Sequence, residues 1–226
     1  MLQIVIFDMF ETLVTLFTGR TYFGEDAATD VGIDTATYRK AWHENEVDRS
    51  TGKLTIKEGI AKTLKSLGLY SEEKVELIAS KRLAALGDTF DAIPDDTMKL
   101  LEELKKRGIK IGLITNTFSD ERDLIRDSKL FPFFDAVRIS YEEGIQKPDP
   151  RLYQSIMDEF GVTADQCLFV GDGGSRELFA ARDIGMKAIQ ASWFRELAFE
   201  PHIPCPVLPE FPQVKNQLDV LEYLDD

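Results

Sequence analysis

Four short polar segments carry the side chains from which a reactive site could be built. They read Asp8-Met9-Phe10-Glu11-Thr12, Thr115-Asn116-Thr117, Lys147-Pro148-Asp149-Pro150 and Gly171-Asp172-Gly173-Gly174-Ser175. In chain order they supply a carboxylate, a hydroxyl with an amide, an ammonium group and a second carboxylate. An ionised carboxylate can act as a nucleophile, and carboxylate oxygens are also the ligands that hard divalent cations prefer. These residue types suit covalent catalysis beside a bound cation.

Each segment also has a purely structural explanation. Asp8 fits a turn or cap, Thr115-Asn116 fits an Asx-type turn, and Lys147 fits a solvated lysine before a helix that begins with proline. Gly171–Ser175 fits a tight turn in which Ser175 caps the next helix. Their recurrence in this order after four successive predicted strands favours one shared site instead.

The surrounding pattern predicts an α/β fold with a doubly wound parallel sheet. Short apolar runs typical of buried strands occur at Leu2–Phe7, Lys110–Ile114, Ala136–Ile139, Cys167–Val170 and Lys187–Gln190. Helical patterns that end at a glycine lie between them at Pro94–Arg107, Pro150–Phe160 and Ser175–Ile184. In such sheets ligands bind beyond the carboxyl ends of the strands, where all four polar segments fall.

The segment 16–92 interrupts this alternation. It shows helical periodicity at Asp34–Val47, Thr55–Leu67 and Ser71–Leu86 without a buried strand. We expect an inserted helical cap at 16–92 over a core formed by residues 1–15 and 93–226. A Pro-rich surface strap at Pro201–Pro212 and a last amphipathic helix at Gln213–Leu224 complete the predicted order.

Composition narrows the choice of partner and compartment. The chain has 226 residues and a formal net charge of -13, which disfavours nucleic acid and anionic membrane surfaces because both require a positive field. A small-molecule partner is the better expectation. The two cysteines are too few for a disulfide framework or a four-cysteine zinc site, and no apolar run reaches the roughly 20 residues of a membrane span. We expect a cytoplasmic protein. No feature of the sequence indicates its oligomeric state.

The four segments resemble the motifs of the haloacid dehalogenase-like hydrolase superfamily. Phe7–Leu13 resembles its first motif, Leu113–Asn116 its second, Lys147–Pro150 its third and Val170–Glu177 its fourth. The helical insert also falls where this superfamily places a cap. The resemblance implies a Rossmann-like core and a hydrolase, most simply a phosphatase that acts on a small phosphorylated metabolite.

Residue roles follow from the same resemblance. It implies that Asp8 attacks phosphorus to give an aspartyl-phosphate, and that Mg²⁺ is held by Asp8, the backbone carbonyl of Phe10, and Asp172. Thr115 and the backbone N–H of Asn116 would hold phosphoryl oxygens, and Lys147 would offset negative charge. Glu177 would support the metal through an outer-sphere or water-mediated contact.

Phe10 departs from the phosphatase pattern, which has a second aspartate at this position as general acid and base. Loss of such a group costs about 10²–10⁴ in rate, so either the leaving group is good, as in an acyl or aryl phosphate, or another residue substitutes. Glu11 is the nearest candidate, although we expect its side chain at the surface.

Two alternative functions stay open at this point. An aromatic residue at the Phe10 position resembles metal-independent 2-haloacid dehalogenases, but that branch lacks the Gly-Asp pair that Gly171 and Asp172 form here. The other alternative is a catalytically weak binding or regulatory protein on the same fold.

Overall fold

Six parallel strands form the central sheet of the computed structural model, which describes residues 1–202 and 204–224. Their spatial order is β3-β2-β1-β4-β5-β6. Their bounds are β1 Ile4–Phe7, β2 Lys110–Thr115, β3 Ala136–Ile139, β4 Cys167–Gly171, β5 Lys187–Ala191 and β6 Gln213–Val214. The strand order reverses its direction between β1 and β4, which confirms the predicted doubly wound sheet. The carboxyl ends of all six strands lie at the same edge of this sheet.

Strand β1 lies at the centre of the sheet and is buried on both faces. Ile6 is in register with Gly112 on one side and with Phe169 on the other. Val5 and Phe7 pack into the apolar layer on one face, while Ile4 and Ile6 pack into the layer on the other. This two-sided burial explains why the first strand reads as a continuous apolar run rather than an alternating one.

Ten α-helices occur in the described part of the chain. Five precede β2, namely α1 Gly24–Val31, α2 Thr35–His43, α3 Glu46–Ser50, α4 Ile56–Ser66 and α5 Glu72–Asp91. The others are α6 Asp95–Lys106, α7 Ser119–Asp127, α8 Ser140–Glu143, α9 Pro150–Phe160 and α10 Glu177–Asp183. Helix α9 begins with Asp149 as its N-cap and ends at Gly161, where φ is 63°, in agreement with the sequence signals.

Three of the predicted helices have clearly different bounds, and one of them, predicted at Ser71–Leu86, extends to Asp91 as α5. The helix expected at Asp34–Val47 is divided into α2 and α3 around Asn45, whose buried side chain donates a hydrogen bond of 3.0 Å to Thr63 Oγ1. Helix α10 begins at Glu177 rather than Ser175, because Ser175 and Arg176 have φ angles of 51° and 56°. The interpretation of Ser175 as an N-cap is therefore wrong.

Helices α1, α2, α4 and α5 share an apolar cluster that is separate from the two layers on the sheet. Its buried members include Ala28, Tyr38, Ile60, Leu64 and Ile78. The division of the chain at 15/16 and 92/93 stays a prediction, but this cluster lies wholly within 16–92, apart from the partly buried Phe118 that packs against it.

The helical segment contacts the core just beyond β2. The backbone N–H of Ile56 donates a hydrogen bond of 2.8 Å to Ser119 Oγ. Arg82 forms ion pairs with Asp120, at 2.6 Å, and with Glu121. The segment that follows Thr115 and Asn116 is therefore held by both parts of the molecule.

The C-terminal region differs most from expectation. The predicted amphipathic helix at Gln213–Leu224 is instead the short strand β6 followed by a 3₁₀ helix at Gln217–Leu224. Part of the predicted strap at 201–212 lies outside the described residues, since Ile203 is not among them. Within residues 1–202 and 204–224, no helix combines the length and apolar character needed to cross a bilayer.

A buried hydrogen-bond chain fixes the end of the protein against the first motif. Thr97, which is 0% exposed, donates through Oγ1 to the carbonyl of Leu13 at 2.9 Å and accepts from Gln217 Nε2 at 2.7 Å. Both partners lose their bond if the hydroxyl is removed, and each buried group left unpaired costs about 1–3 kcal/mol.

We therefore expect Thr97→Val to lower the free energy of unfolding by about 2–4 kcal/mol, measured by urea denaturation. Thr29→Val is the matched control, because Thr29 is an exposed helical threonine whose hydroxyl bonds to a carbonyl of its own helix. The control should change stability by less than about 0.5 kcal/mol. Equal stability of the two variants would contradict the assigned hydrogen-bond chain.

Candidate active site

Asp8 lies where β1 ends, in the middle of the sheet edge. Its backbone N–H donates to the carbonyl of Val170 at 3.0 Å, which continues the pairing of β1 with β4 by one residue. The Nζ atom of Lys147 lies 2.5 Å from Asp8 Oδ1 and 2.5 Å from Glu177 Oε2. The exposed fractions of these side chains are 9% for Asp8, 4% for Lys147 and 0% for Glu177. Lys147 is therefore a buried ion-pair partner rather than a solvated lysine.

Asp172 joins this group from the turn after β4. Carboxylate oxygens of Asp8, Asp172 and Glu177 all lie within 4.8 Å of one another. Backbone N–H groups of the turn hold two of them: Gly174 donates to Asp172 Oδ1 at 2.8 Å, and Gly173 donates to Glu177 Oε1 at 3.1 Å. Gly173 has a φ of 97°, which a residue with a side chain rarely adopts, so the glycine is required for this turn.

The cluster carries more negative than positive charge. Burial, reinforced by the nearby charge of Asp8, raises the pKa of Asp172 to about 6. Burial also raises the pKa of Glu177, although Lys147 opposes the shift. For Lys147 burial acts to lower the pKa, but Asp8 and Glu177 outweigh it and hold the pKa above its usual value. With every group ionised, three carboxylates and one ammonium leave two negative charges without a partner.

A divalent cation fits this donor set in charge and in chemistry. Hard cations such as Mg²⁺ bind carboxylate and carbonyl oxygens, and a charge of +2 balances the excess of the cluster. Asp8 and Asp172 are the carboxylates predicted as ligands. The side chain of Phe10 has no oxygen, so this residue can contribute only its backbone carbonyl. Its ring packs edge-on against Phe90, with 6.1 Å between the ring centroids.

The second predicted motif lies beside the cluster. Thr115 is 1% exposed, and its Oγ1 has no hydrogen-bond partner among the described residues. A buried hydroxyl without a partner costs stability unless a ligand supplies one. The side chain of Asn116 accepts a hydrogen bond of 2.8 Å from the backbone N–H of Lys147 and donates one of 3.2 Å to Ser175 Oγ. Asn116 was predicted to bind phosphoryl oxygens through its backbone N–H, and the role of its side chain in joining three motifs was not predicted.

Glu11 is not a surface residue, so that expectation is wrong. Its carboxylate accepts hydrogen bonds of 2.8 Å from both Thr15 Oγ1 and the backbone N–H of Leu16. Burial raises its pKa to about 7, although both hydrogen bonds oppose the shift. Its φ of 57° turns the chain so that the side chain lines a cavity together with Asp172. A left-handed non-glycine residue is a form of backbone strain often found at functional sites.

A family model for haloacid dehalogenase-like hydrolases matches residues 2–185, which span all four motifs. The chain belongs to this family. The resemblance inferred from the motifs is thereby confirmed, and the protein is a hydrolase with the Rossmann-like core of the family.

Relatives within this hydrolase family include named phosphatases. The chain is 34% identical over 135 residues to phosphatase MT3486 of Mycobacterium tuberculosis, a match that covers 59% of each chain. It is 32% identical over 133 residues to glyceraldehyde 3-phosphate phosphatase of Pyrococcus furiosus, covering 55% of this chain and 52% of the relative. These matches thus span only a little more than half the length of the relatives.

Solved structures of the family share the fold over the full length. A 2-haloacid dehalogenase from Pseudomonas syringae superposes with a TM-score of 0.70 at 22% identity, covering 100% of this chain and 99% of that one. At this identity the likeness concerns the fold. The architecture therefore accommodates both hydrolytic branches of the family, and the side chains of the site must distinguish them.

Removal of the Lys147 ammonium group should destabilise the protein, because the carboxylates of the cluster then lack a positive charge. We expect Lys147→Met to lower the free energy of unfolding by about 3–5 kcal/mol in EDTA, because Asp8 and Glu177 are left buried without their shared partner. Adding Glu177→Gln to this variant should recover part of the loss by removing one of the two charges. Urea denaturation at neutral pH measures both effects.

Lys129→Met is the control, since Lys129 is exposed and lies outside the cluster. It should stay within about 0.5 kcal/mol of the wild type. A double variant less stable than Lys147→Met alone would show that Lys147 and Glu177 are not coupled in the way described.

Proposed function

We propose that this protein is a Mg²⁺-dependent phosphatase that hydrolyses a small phosphorylated metabolite through an aspartyl-phosphate on Asp8. The observation that carries the proposal is the buried cluster of Asp8, Asp172 and Glu177 around Lys147, which lacks two positive charges. A phosphate ester brings further negative charge, so only a site with a bound cation can receive it. The phosphatase names of the relatives support the same substrate class.

The first step forms a bond between a carboxylate oxygen of Asp8 and phosphorus while the bond from phosphorus to the leaving oxygen breaks. Asp8, Asp172 and the carbonyl of Phe10 would hold the Mg²⁺, which would neutralise charge between the nucleophile and the phosphoryl oxygens. Thr115 Oγ1 and the backbone N–H of Asn116 donate hydrogen bonds to those oxygens. Lys147 orients Asp8, because the ammonium group lies 2.5 Å from Oδ1.

The second step is attack of water on the aspartyl-phosphate, which releases inorganic phosphate and restores Asp8. Phe10 provides no general acid or base for either step. The absence of that group at position 10 slows reactions in which the leaving oxygen needs a proton, by about 10²–10⁴. Acyl and aryl phosphates, whose leaving groups depart without full protonation, are therefore the preferred substrates in this proposal.

Dehalogenation is the second candidate, favoured by Phe10 and by the fold shared with a 2-haloacid dehalogenase. That reaction brings a carboxylate substrate to Asp8. Asp172 and Glu177 would place two more carboxylates within 4.8 Å of the nucleophile, and the repulsion disfavours a carboxylate substrate in a site with no metal ion.

The principal test is hydrolysis of phenyl phosphate and acetyl phosphate with and without Mg²⁺. We expect turnover that requires Mg²⁺, is abolished by EDTA, and falls by at least about 10³-fold in Asp8→Asn because the nucleophile is lost. Asp158→Asn serves as the control, since Asp158 is an exposed residue of α9 that belongs to none of the four motifs. Phosphate release is the measurement.

Metal-independent activity would contradict this proposal. Halide release from short 2-haloacids in EDTA, with no phosphate release under any condition, would establish the dehalogenase instead. For that reaction, single turnover in ¹⁸O-labelled water followed by mass spectrometry of the Asp8 peptide separates attack by Asp8, whose ester is hydrolysed at its carbonyl carbon and leaves ¹⁸O in the carboxylate, from direct attack of water on the substrate.

Asp172→Asn should weaken the response to the metal. We expect the Mg²⁺ concentration for half-maximal activity to rise roughly tenfold or more, since even the loss of an outer-sphere partner costs 10–100-fold in metal affinity or activity. Asp158→Asn should leave this concentration unchanged. An unchanged Mg²⁺ dependence in Asp172→Asn would remove Asp172 from the ligand set.

A further inference from the structure

A cavity of about 140 Å³ opens from the carboxylate cluster toward the C-terminal region. Asp172 and Glu11 form its inner wall, and Asp172 has a carboxylate oxygen within 4.8 Å of one from Asp8. The cavity therefore borders the carboxylate cluster through Asp172. A phosphoryl group held at Asp8 would have its leaving group in or next to this space.

The remaining wall is largely apolar. Phe17 comes from the segment after the first motif, while Phe194, Ala198 and Pro204 come from the chain that follows β5. Apolar walls of this kind suit a group that is itself apolar. An apolar cavity of roughly 150 Å³ is large enough to bind benzene, so the available volume matches a single ring or a short branched chain.

Two polar side chains of the wall, Glu11 and Gln190, already have their hydrogen bonds within the protein. Glu11 accepts from Thr15 and Leu16 through its two carboxylate oxygens. Gln190 donates through Nε2 to the carbonyls of Asp172 and Pro206, at 2.7 and 2.9 Å.

The acceptor side of Gln190 is also occupied. Its Oε1 accepts from Leu208 N at 2.8 Å and from Gln213 Nε2 at 2.6 Å. The amide thus has two donated and two accepted bonds, which is its full capacity. Arg195 donates to the carbonyl of Cys205. A polyhydroxylated leaving group would lose its hydrogen bonds to water on entering the cavity and would find few new partners in the wall. The unpaired hydroxyl groups would disfavour its binding.

We infer that this cavity is the leaving-group subsite, and that it selects phosphates of a compact apolar phenol over those with a polyhydroxylated leaving group. The inference rests on the proposed function and specifies its substrate class. Specificity resides in Phe17, from the segment after the first motif, and in Phe194 and Ala198, from the segment after β5. Gln190 fixes the subsite by joining the Asp172 turn to the chain at Pro206 and Leu208.

Filling the cavity tests the inference directly. Ala198→Leu should lower kcat/KM for phenyl phosphate about tenfold or more, mainly through KM, because the added atoms occupy the space of the ring. Acetyl phosphate, whose leaving group is little larger than a methyl, should change by less than about twofold and also reports that the variant is folded. The matched control is Ala36→Leu, the same substitution at an exposed alanine of α2.

The wild type should also prefer phenyl phosphate to 3,5-dihydroxyphenyl phosphate by about tenfold or more in kcat/KM, because both release a phenol and only the second brings hydroxyl groups into the apolar wall. Equal losses for phenyl and acetyl phosphate in Ala198→Leu, no loss for either, or a preference for the dihydroxyphenyl ester would each overturn the subsite while leaving the phosphatase intact. Failure of the wild type to hydrolyse any of the three phosphates would overturn the proposed function itself.

Discussion

The ammonium group of Lys147, buried between Asp8 and Glu177, is the interaction on which the site depends. A buried carboxylate is stable in its ionised form only beside a compensating charge, and two carboxylates share this one. The residual negative charge makes the pocket a receptor for a cation, while the ion pair keeps the proposed nucleophile oriented. Tyr153 contributes from α9 by donating to the carbonyl of Glu177 at 3.2 Å, so helix packing and charge placement support each other.

The sheet order is what brings these groups together. Asp8 is 139 residues from Lys147 in the sequence, and Lys147 is 30 residues from Glu177, yet all three side chains meet at the carboxyl edge of the sheet near β1 and β4. Asn116 closes the arrangement by bonding to Lys147 N and Ser175 Oγ. The site is therefore a property of the parallel topology and of four loops, and no single loop could form it.

Much of this arrangement could be predicted because its signals are local. The continuous apolar run at β1 and the glycine after α9 each encode one element, and the motif order fixes where Asp8, Lys147 and Asp172 must lie. Glu11 was misplaced because its orientation depends on a left-handed φ at a residue that is not glycine. The role of Gln190 was not predicted, because the four hydrogen bonds of its side-chain amide depend on the folded chain and leave no pattern in the sequence. Strand β6 has two residues and no pattern of its own, so only its pairing with β5 defines it.

Strand β6 also protects the margin of the sheet. The backbone of Gln190 donates to Pro212, and Ser192 donates to Val214, each at 2.9 Å. Without these partners, β5 would present unpaired amide and carbonyl groups along a parallel edge, which invites pairing with another polypeptide. Removal of Gln213 and Val214 would therefore leave β5 as an edge strand that is open to pairing with another chain.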